Sequence, residues 1–388
     1  MRGLLGQTLA VTSINLRSLA NRKGLVAAIM LCVALVVATL TSLDALNRGL
    51  RVALEQSGQS DIAIIMRGGT QAEINSIVTR EQVDILRGAS ELRSFSPEVN
   101  LVVDGYRRED NQRANISLRG LTNDGIQMRR NVRLTAGQWP RVGAAELAIG
   151  RNIARTYRNM NLGSTVTVGT AKWTIVGVFA ANGSTSESEI WADLTAVQNL
   201  FNRANTVQSV RVRVASPSGL GALASYSAKD PRLQLAVRSE ADYYAAQASR
   251  TSDLAQKLAW PLATLMAVGA IVGAFNTMLA AVASRTIEIA TFRAIGYRRS
   301  AICLGLIVEC VLVCMIAGAI GAALAYLVLD GLSATTLASG ITRVGYVLKF
   351  SLAGLWQGFG LAATIGVLGA IIPAFIASLR PVTRNLRP

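Results

Sequence analysis

Four long apolar runs, almost free of charge, constrain this chain more than any other feature. Gly24–Leu43, Leu258–Ser284 and Phe350–Leu379 contain no charged residue, and Ala301–Leu329 contains only Glu309. Each run is 20 residues or longer. About 20 apolar residues in a helix cross a hydrocarbon core of roughly 30 Å, so the spacing predicts a membrane α-helical protein with four transmembrane helices. The longer runs must tilt or extend past the hydrocarbon. The first run exceeds the apolar part of a signal peptide, and no small-residue cleavage site follows it closely, so it is read as an uncleaved anchor.

Charge then sets the orientation. The formal net charge is +16, with 39 Lys and Arg against 23 Asp and Glu. Segments 1–23, 284–300 and 380–388 together supply +10 of this and flank the apolar runs. Cationic loops stay on the cytoplasmic side, which predicts both termini inside and residues 44–257 and 330–349 outside. A nucleic-acid binder collects its cations on one folded face; here they border membrane spans, so no nucleic-acid partner is expected and membrane lipid is. The expected organisation is a cytoplasmic amphipathic N-terminal helix (1–23), transmembrane helix 1 (24–43), a periplasmic domain with helical stalks (44–257) and transmembrane helix 2 (258–284). A cytoplasmic coupling loop (285–300), transmembrane helix 3 (301–329), a periplasmic loop (330–349), transmembrane helix 4 (350–379) and a cytoplasmic tail (380–388) complete it. At the start, Leu5, Leu9, Leu16 and Leu19 share one narrow helical face, as in an interfacial helix.

Helical periodicity continues beyond the first run. Leu43, Leu46, Leu50, Ala53 and Leu54 share a face, opposite Asp44, Arg48, Arg51 and Glu55, with Asp44/Arg48 and Arg51/Glu55 spaced to pair at i,i+4. A stalk to about residue 57 is expected, and a second leads back in, with Ala241, Tyr244, Ala248, Thr251, Ala255 and Leu258 on one face. Between the stalks the period changes to two. Asp61–Met66, Asn100–Tyr106, Arg113–Arg119, Ser164–Gly169, Lys172–Phe179 and Ser209–Val214 read as strands. Thr79–Arg87, capped by Thr79, Asp193–Phe201 and Gly219–Ala228 read as helices. The external segment is therefore a large α+β domain.

Several chemistries are excluded. The chain has no His, which removes Ser-His-Asp catalysis and His-containing zinc sites. Its cysteines, Cys32, Cys303, Cys310 and Cys314, all lie in apolar runs, so they read as small packing residues and the external domain as free of disulfides. No G-x-x-x-x-G-K-[ST] phosphate loop, H-E-x-x-H, C-x-x-C or G-x-S-x-G is present. Neither catalytic nor metal-ligating residues are assigned, and no cofactor is expected in these residues. The acids Glu187, Glu189, Glu109 and Asp110 read as solvated loop groups.

The spans carry G-x-x-x-G spacings at Gly269/Gly273 and Gly354/Gly358, and Gly318 and Gly321 lie in the Ala-rich third span; small residues allow helices to approach closely. Glu309 is the one ionisable group inside a span, where a charge costs roughly 2.5–3.5 kcal/mol on insertion scales. It is expected to face the bundle interior. Its functional reading is a conformational switch or substrate-path group; its structural reading is a hydrogen bond to a neighbouring helix.

The segment Arg285–Arg299, with Arg285, Glu288, Ile289, Arg293, Ala294, Ile295 and Gly296 in the pattern R-x-x-E-I-x-x-x-R-A-I-G, resembles the cytoplasmic loop of FtsX/MacB-type (type VII) ABC transporter permeases. The order of elements, one span, a large external domain and three further spans, is similar too. Asn15–Lys23 looks like the family's approach to its first span, and Pro373, Ala374, Arg380, Pro381, Leu386 and Arg387 look like its C-terminal end. The strand ending Ile175-Val176-Gly177-Val178-Phe179 is similar to the MacB-like periplasmic core domain.

The resemblance implies an inner-membrane permease, similar to the split-subunit LolC/LolE and DevC-like forms, that works as a homo- or heterodimer. A separate ABC ATPase subunit binds ATP and Mg, and its motion reaches the external domain by mechanotransmission, with a periplasmic adaptor as a further partner. The seven motif residues then become ATPase-coupling residues and the chain itself a non-catalytic subunit. The function so implied is export or extraction of a periplasmic or envelope substrate. The alternative is an FtsX-like signalling scaffold that regulates cell-wall hydrolases. A membrane-anchored enzyme is the third class, disfavoured by the missing His and nucleophile motifs.

Overall fold

The structure, a computed structural model, describes residues 3–18, 23–89, 92–216, 218–338 and 342–379. Leu19 and the tail residues Arg380, Pro381, Leu386 and Arg387 lie outside the described residues. From the N-terminus come α1 (Leu4–Ser18), α2 (Lys23–Glu55), β1 (Ile62–Arg67), β2 (Val78–Thr79) and α3 (Arg80–Arg87). Next are β3 (Leu92–Tyr106), β4 (Arg113–Leu121), α4 (Asn123–Met128), β5 (Arg133–Gly137), β6 (Glu146–Gly150) and α5 (Arg151–Thr156). β7 (Thr165–Val168), β8 (Ala171–Ala180), β9 (Glu189–Asp193), α6 (Leu194–Leu200), β10 (Thr206–Val207), β11 (Ser209–Val214), α7 (Gly219–Lys229) and β12 (Leu235–Ser239) follow. The chain continues through α8 (Glu240–Ser284), α9 (Thr286–Ala294), α10 (Arg299–Leu329), β13 (Ser333–Ala338), β14 (Thr342–Val347) and α11 (Leu352–Leu379).

Two compact units result. The helical unit comprises Met1–Arg48, Asp253–Leu332 and Leu348–Pro388; the other comprises Gly49–Ser252 and Ser333–Val347. The helices α2, α8, α10 and α11 are each long and apolar enough to cross a membrane. Small residues set how closely they pack. A Cβ on Gly321 would lie 2.2 Å from the Ala34 carbonyl oxygen, so α2 and α10 meet backbone to backbone there. Gly358 faces Val37 and Thr41 of α2, and Gly366 faces Val311 of α10. In contrast, nothing lies within 4 Å of the Cβ positions of Gly269 and Gly273. One G-x-x-x-G therefore packs inside the bundle and the other opens outward.

The second unit is built on one sheet in the order β12-β1-β11-β3-β4-β9-β6-β8-β5, with β7 also on β8. The long strand β3 joins its halves: Leu92–Glu98 pairs with β11, and Val99–Tyr106 pairs with β4. One face carries a single apolar core, including Val99, Leu118, Trp173, Ile190 and Val210, onto which Leu86 of α3, Val197 of α6 and Leu223 of α7 pack. Thr79 caps α3, with a reciprocal hydrogen bond from the Thr79 N–H to the Gln82 side chain.

Three expectations need correction here. Segment 330–349, read as a loop, contains the hairpin β13–β14, and it belongs to the second unit: the Gly345 N–H donates to Ser188 Oγ at 2.9 Å. Asp44 and Arg48 form no ion pair among the described residues; the Ser351 hydroxyl donates to Asp44 instead, at 3.1 Å. Arg51 and Glu55 do pair, at 2.7 Å. Finally Glu187 and Glu189 are buried, at 5% and 8% exposure, rather than solvated. The Glu187 carboxylate accepts from the Ala181 N–H at 2.7 Å, and Glu189 opens a strand instead of sitting in a loop.

Candidate coupling site

Within the helical unit, α8 ends at Ser284, Arg285 forms the N-cap of α9, and Gly296 closes the turn that follows α9 with φ +98°. That conformation is open to glycine at little cost, which is why this position suits Gly296. Arg285 is buried, as is Glu309, at 2% and 4% exposure. The guanidinium Nη1 lies 3.2 Å from Glu309 Oε2, and Nη2 donates to the Asn15 carbonyl at 3.1 Å. Asn15 is in the last turn of α1, whose final carbonyls have no partner within their own helix. A cation there also complements the negative end of the α1 dipole. One side chain thus ties α1, α9 and α10 together. Val11 of α1 seats against Gly305 of α10 beside it, where even a Cβ on Gly305 would meet Val11 at 2.6 Å. On α1 the faces are divided, with Val11, Thr12 and Asn15 inward and Leu5 and Leu9 outward.

The remaining motif residues divide by face. Ile289 is buried with Ile302 and Val282 in the helical core, and Arg293 is half-buried. Glu288, Ala294, Ile295 and Gly296 are exposed, and Ile287 beside them is 65% exposed. Glu288 lies in the first turn of α9 at 3.9 Å from Arg285, where its charge suits the helix N-terminus. The structure accordingly buries Arg285 with Glu309, leaves Glu288 exposed at the edge of that pair, and turns Ala294, Ile295 and Gly296 outward. Arg285, grouped by sequence with the coupling surface, points inward as an anchor for it. Among the described residues no group of three or more His, Cys, Asp or Glu is placed to hold a metal ion.

A second ionic centre in the external unit escaped sequence reasoning. Strand residues alternate between faces. While Leu118, Ile190, Val99 and Val210 enter the apolar core, their neighbours Arg119, Glu189, Glu98 and Arg211 occupy the opposite face. There Arg119 binds Glu189 in bidentate fashion at 2.7 and 2.8 Å, and reaches Glu73 and Glu98 at 3.0 Å. Arg129 forks onto Glu98 at 2.8 and 2.9 Å. Arg211, wholly buried in the central strand β11, reaches Glu73 at 2.8 Å and Glu240 at 2.9 Å. Glu240 is the first residue of α8, so the origin of that helix is pinned to the sheet. Burial alone raises the carboxyl pKa values here and is the largest single influence. The surrounding arginines outweigh it, holding Glu98 down to about 2 and Glu73 lower still. Burial raises the Tyr244 phenol to about 12. The only sequence signal was the alternation Val210-Arg211-Val212-Arg213-Val214, which reads equally well as a half-solvated strand.

Residues 25–226 match the family described as MacB-like periplasmic core domain, and residues 261–382 match FtsX-like permease C-terminal. The chain belongs to the FtsX/MacB-type family of ABC transporter permeases. The second match takes in α9, α10, α11 and every candidate residue from Arg285 to Glu309. Curated relatives include macrolide export ATP-binding/permease protein MacB 2 of Aeromonas hydrophila subsp. hydrophila, 25% identical, covering 89% of this chain and 55% of that protein. The MacB 1 protein of the same organism is 27% identical, covering 87% of this chain and 54% of that protein. The chain thus spans about half the length of the curated relatives it matches. Among solved structures, the periplasmic region of MacB from Actinobacillus actinomycetemcomitans covers 47% of this chain and 91% of that one, at 14% identity and a TM-score of 0.39. The extracellular domain of the ABC-type transporter YknZ from Gram-positive bacteria covers 46% and 99%, at 14% identity and a TM-score of 0.36.

Membership in this family makes the molecule a membrane protein with an α+β extracytoplasmic core domain between its first and second membrane helices. It also makes the chain an ABC transporter permease whose residues hold no nucleotide-binding loop.

Proposed function

We propose that the chain is a non-catalytic permease subunit that couples ATP hydrolysis by a separate ABC ATPase subunit to movement of its extracytoplasmic domain. The observation that carries this reading is the division of the Arg285–Gly296 segment into two faces. Its outer face offers Ile287, Glu288, Ala294 and Ile295 to a partner. Its inner face is locked to α1 and α10 through Arg285 and Glu309. A push on the exposed face is therefore delivered to the helical bundle and not absorbed by a loose loop. The continuous helices α2 and α8 run out of the bundle, and α8 begins at the buried Arg211–Glu240 pair. Mechanotransmission through these helices to the external domain drives export or extraction of an envelope substrate; macrolides, named for the relatives, are one class to try.

In this reading the protein resides in a bacterial inner membrane, with both termini cytoplasmic and the large domain periplasmic. It acts with a second permease copy and a periplasmic adaptor. The outward-facing Gly269 and Gly273 of α8 are the small-residue surface available to that second copy. The decisive experiment is purification from native membranes in mild detergent with identification of co-purifying chains and assay of ATPase activity. A stoichiometric ABC ATPase supports the reading. Recovery with cell-wall hydrolases and no ATPase replaces it by the signalling-scaffold alternative.

A further inference from the structure

At the outer end of the helical unit, α2, α8 and α11 enclose a half-open cavity of about 60 Å³. Its lining is largely polar. Asp44 contributes a carboxylate, Asn47, Gln256 and Gln357 contribute amides, and Trp260 contributes an indole, with Leu43 on the apolar side. Asp44 and Trp260 sit at matching ends of their spans. Asp44 immediately follows the uncharged run Gly24–Leu43, and Trp260 is near the start of Leu258–Ser284. Gln357 lies inside the uncharged run Phe350–Leu379, so the cavity reaches below the membrane surface.

The carboxylate is prepared rather than incidental. Asp44 forgoes the Arg48 partner its i,i+4 spacing offers and has no ion pair among the described residues. Its one recorded hydrogen bond is accepted from the Ser351 hydroxyl at 3.1 Å, and Ser351 Oγ in turn accepts from the Gly354 N–H at 3.0 Å. A side chain at position 354 would strike Asp44: a Cβ there would lie 2.2 Å from Oδ2. Glycine thus leaves the space the carboxylate fills. Beside it, Pro261 lies within α8. Proline lacks the N–H that would bond the carbonyl four residues earlier.

A carboxylate with no ion pair among the described residues, lining the same cavity as three side-chain amides and an exposed indole, matches one ligand chemistry. Carboxylates and aromatic faces both attract ammonium ions, and amphiphiles place such headgroups at this depth. We infer that this cavity binds the ammonium headgroup of an amphiphile lying in the outer half of the bilayer. The volume has room for a small headgroup, since one water needs only about 10–15 Å³ on the same measure; the apolar body of the ligand then lies along the Leu43 side in the lipid. Two sources share this chemistry: an ethanolamine phospholipid and a soluble cationic amphiphile. The inference rests on the membrane embedding of α2, α8 and α11 and stands whether or not an ATPase partner is found.

The test uses the full chain in neutral maltoside micelles, titrated with dodecylammonium. The readout is the part of the tryptophan fluorescence change that is lost in Trp260→Phe. Saturable binding is expected, and Asp44→Asn should weaken it by about fivefold or more, the scale of a partly exposed ion pair. Asparagine still accepts from Ser351, so an unchanged unfolding temperature for Asp44→Asn separates lost binding from lost fold. Gln357→Ala, which leaves Asp44 and Ser351 untouched, should weaken binding less. Added phosphatidylethanolamine that competes, where phosphatidylglycerol does not, identifies a lipid ligand. Saturable dodecylammonium binding without such competition identifies a soluble amphiphile. Wild-type affinity in a folded Asp44→Asn variant, or no saturable Trp260-dependent change at all, overturns the inference.

Discussion

Arg285 and Glu309, 24 residues apart, meet as a buried ion pair at 3.2 Å, with Arg285 also donating to the Asn15 carbonyl at the end of α1. Each group explains the other. A lone carboxylate inside a span and a lone guanidinium buried at the end of one are both costly, and together they form a joint between three helices.

The first expectation concerns that joint. Removing one partner of a buried pair leaves an uncompensated charge and costs about 3–5 kcal/mol, whereas replacing both by apolar groups is far milder. Arg285→Met should therefore lower the thermal unfolding midpoint in detergent markedly. The double variant Arg285→Met/Glu309→Leu should recover most of the loss. Equal destabilisation in single and double variants would show that the pair does not act as a unit.

A complementary outcome is expected on the exposed face of α9. Glu288→Ala and Ile295→Ala remove groups that contribute little to the fold and should change stability by no more than about 0.5 kcal/mol. In membranes containing the ATPase, the same variants should separate ATP hydrolysis from transport. Full transport in both would remove this face from the coupling path.

Acid should loosen the external domain. Glu98 titrates at about 2 in the folded chain against an ordinary 4.5, held there by Arg129, Arg211 and Arg119 despite its burial. A pKa lower in the folded state means the unfolded chain takes up protons first as pH falls. The stability Glu98 confers is thus complete above about pH 4.5 and is lost as pH drops toward 2, on the order of 3 kcal/mol in all. Denaturant unfolding followed by the near-ultraviolet signal of buried Trp191 should show this decline, and Glu98→Gln should flatten it over that window.

Glycines in two different spans should behave differently. Gly321→Ala forces a methyl group toward the Ala34 backbone, where there is room for none, and should cost about 1–3 kcal/mol by overpacking. Gly269→Ala meets nothing within 4 Å and should leave the unfolding of the monomer unchanged. Any effect of Gly269→Ala should appear instead in the association of two copies, read by light scattering or crosslinking.

The local properties of the chain were legible from its residues alone. Uncharged runs of 20 residues or more partition into a bilayer whatever surrounds them, and the α3 cap at Thr79 or the strand Ser209–Val214 depends on neighbours within a few positions. Tertiary structure decided which polar groups were buried and against what. Alternation in β11 sets Arg211 on one face of the sheet but does not say that Glu73, Glu98 and Glu240 cover that face. The two G-x-x-x-G spacings are equivalent on paper, yet among the described residues only Gly354/Gly358 meets a neighbouring helix. Likewise Asp44 has an i,i+4 partner in Arg48 and abandons it for Ser351, far away in sequence. Periodicity records how a residue sits on its own element. The pairing of charges across elements depends on packing, because a buried charge is stable only where an opposite one is brought within hydrogen-bond reach.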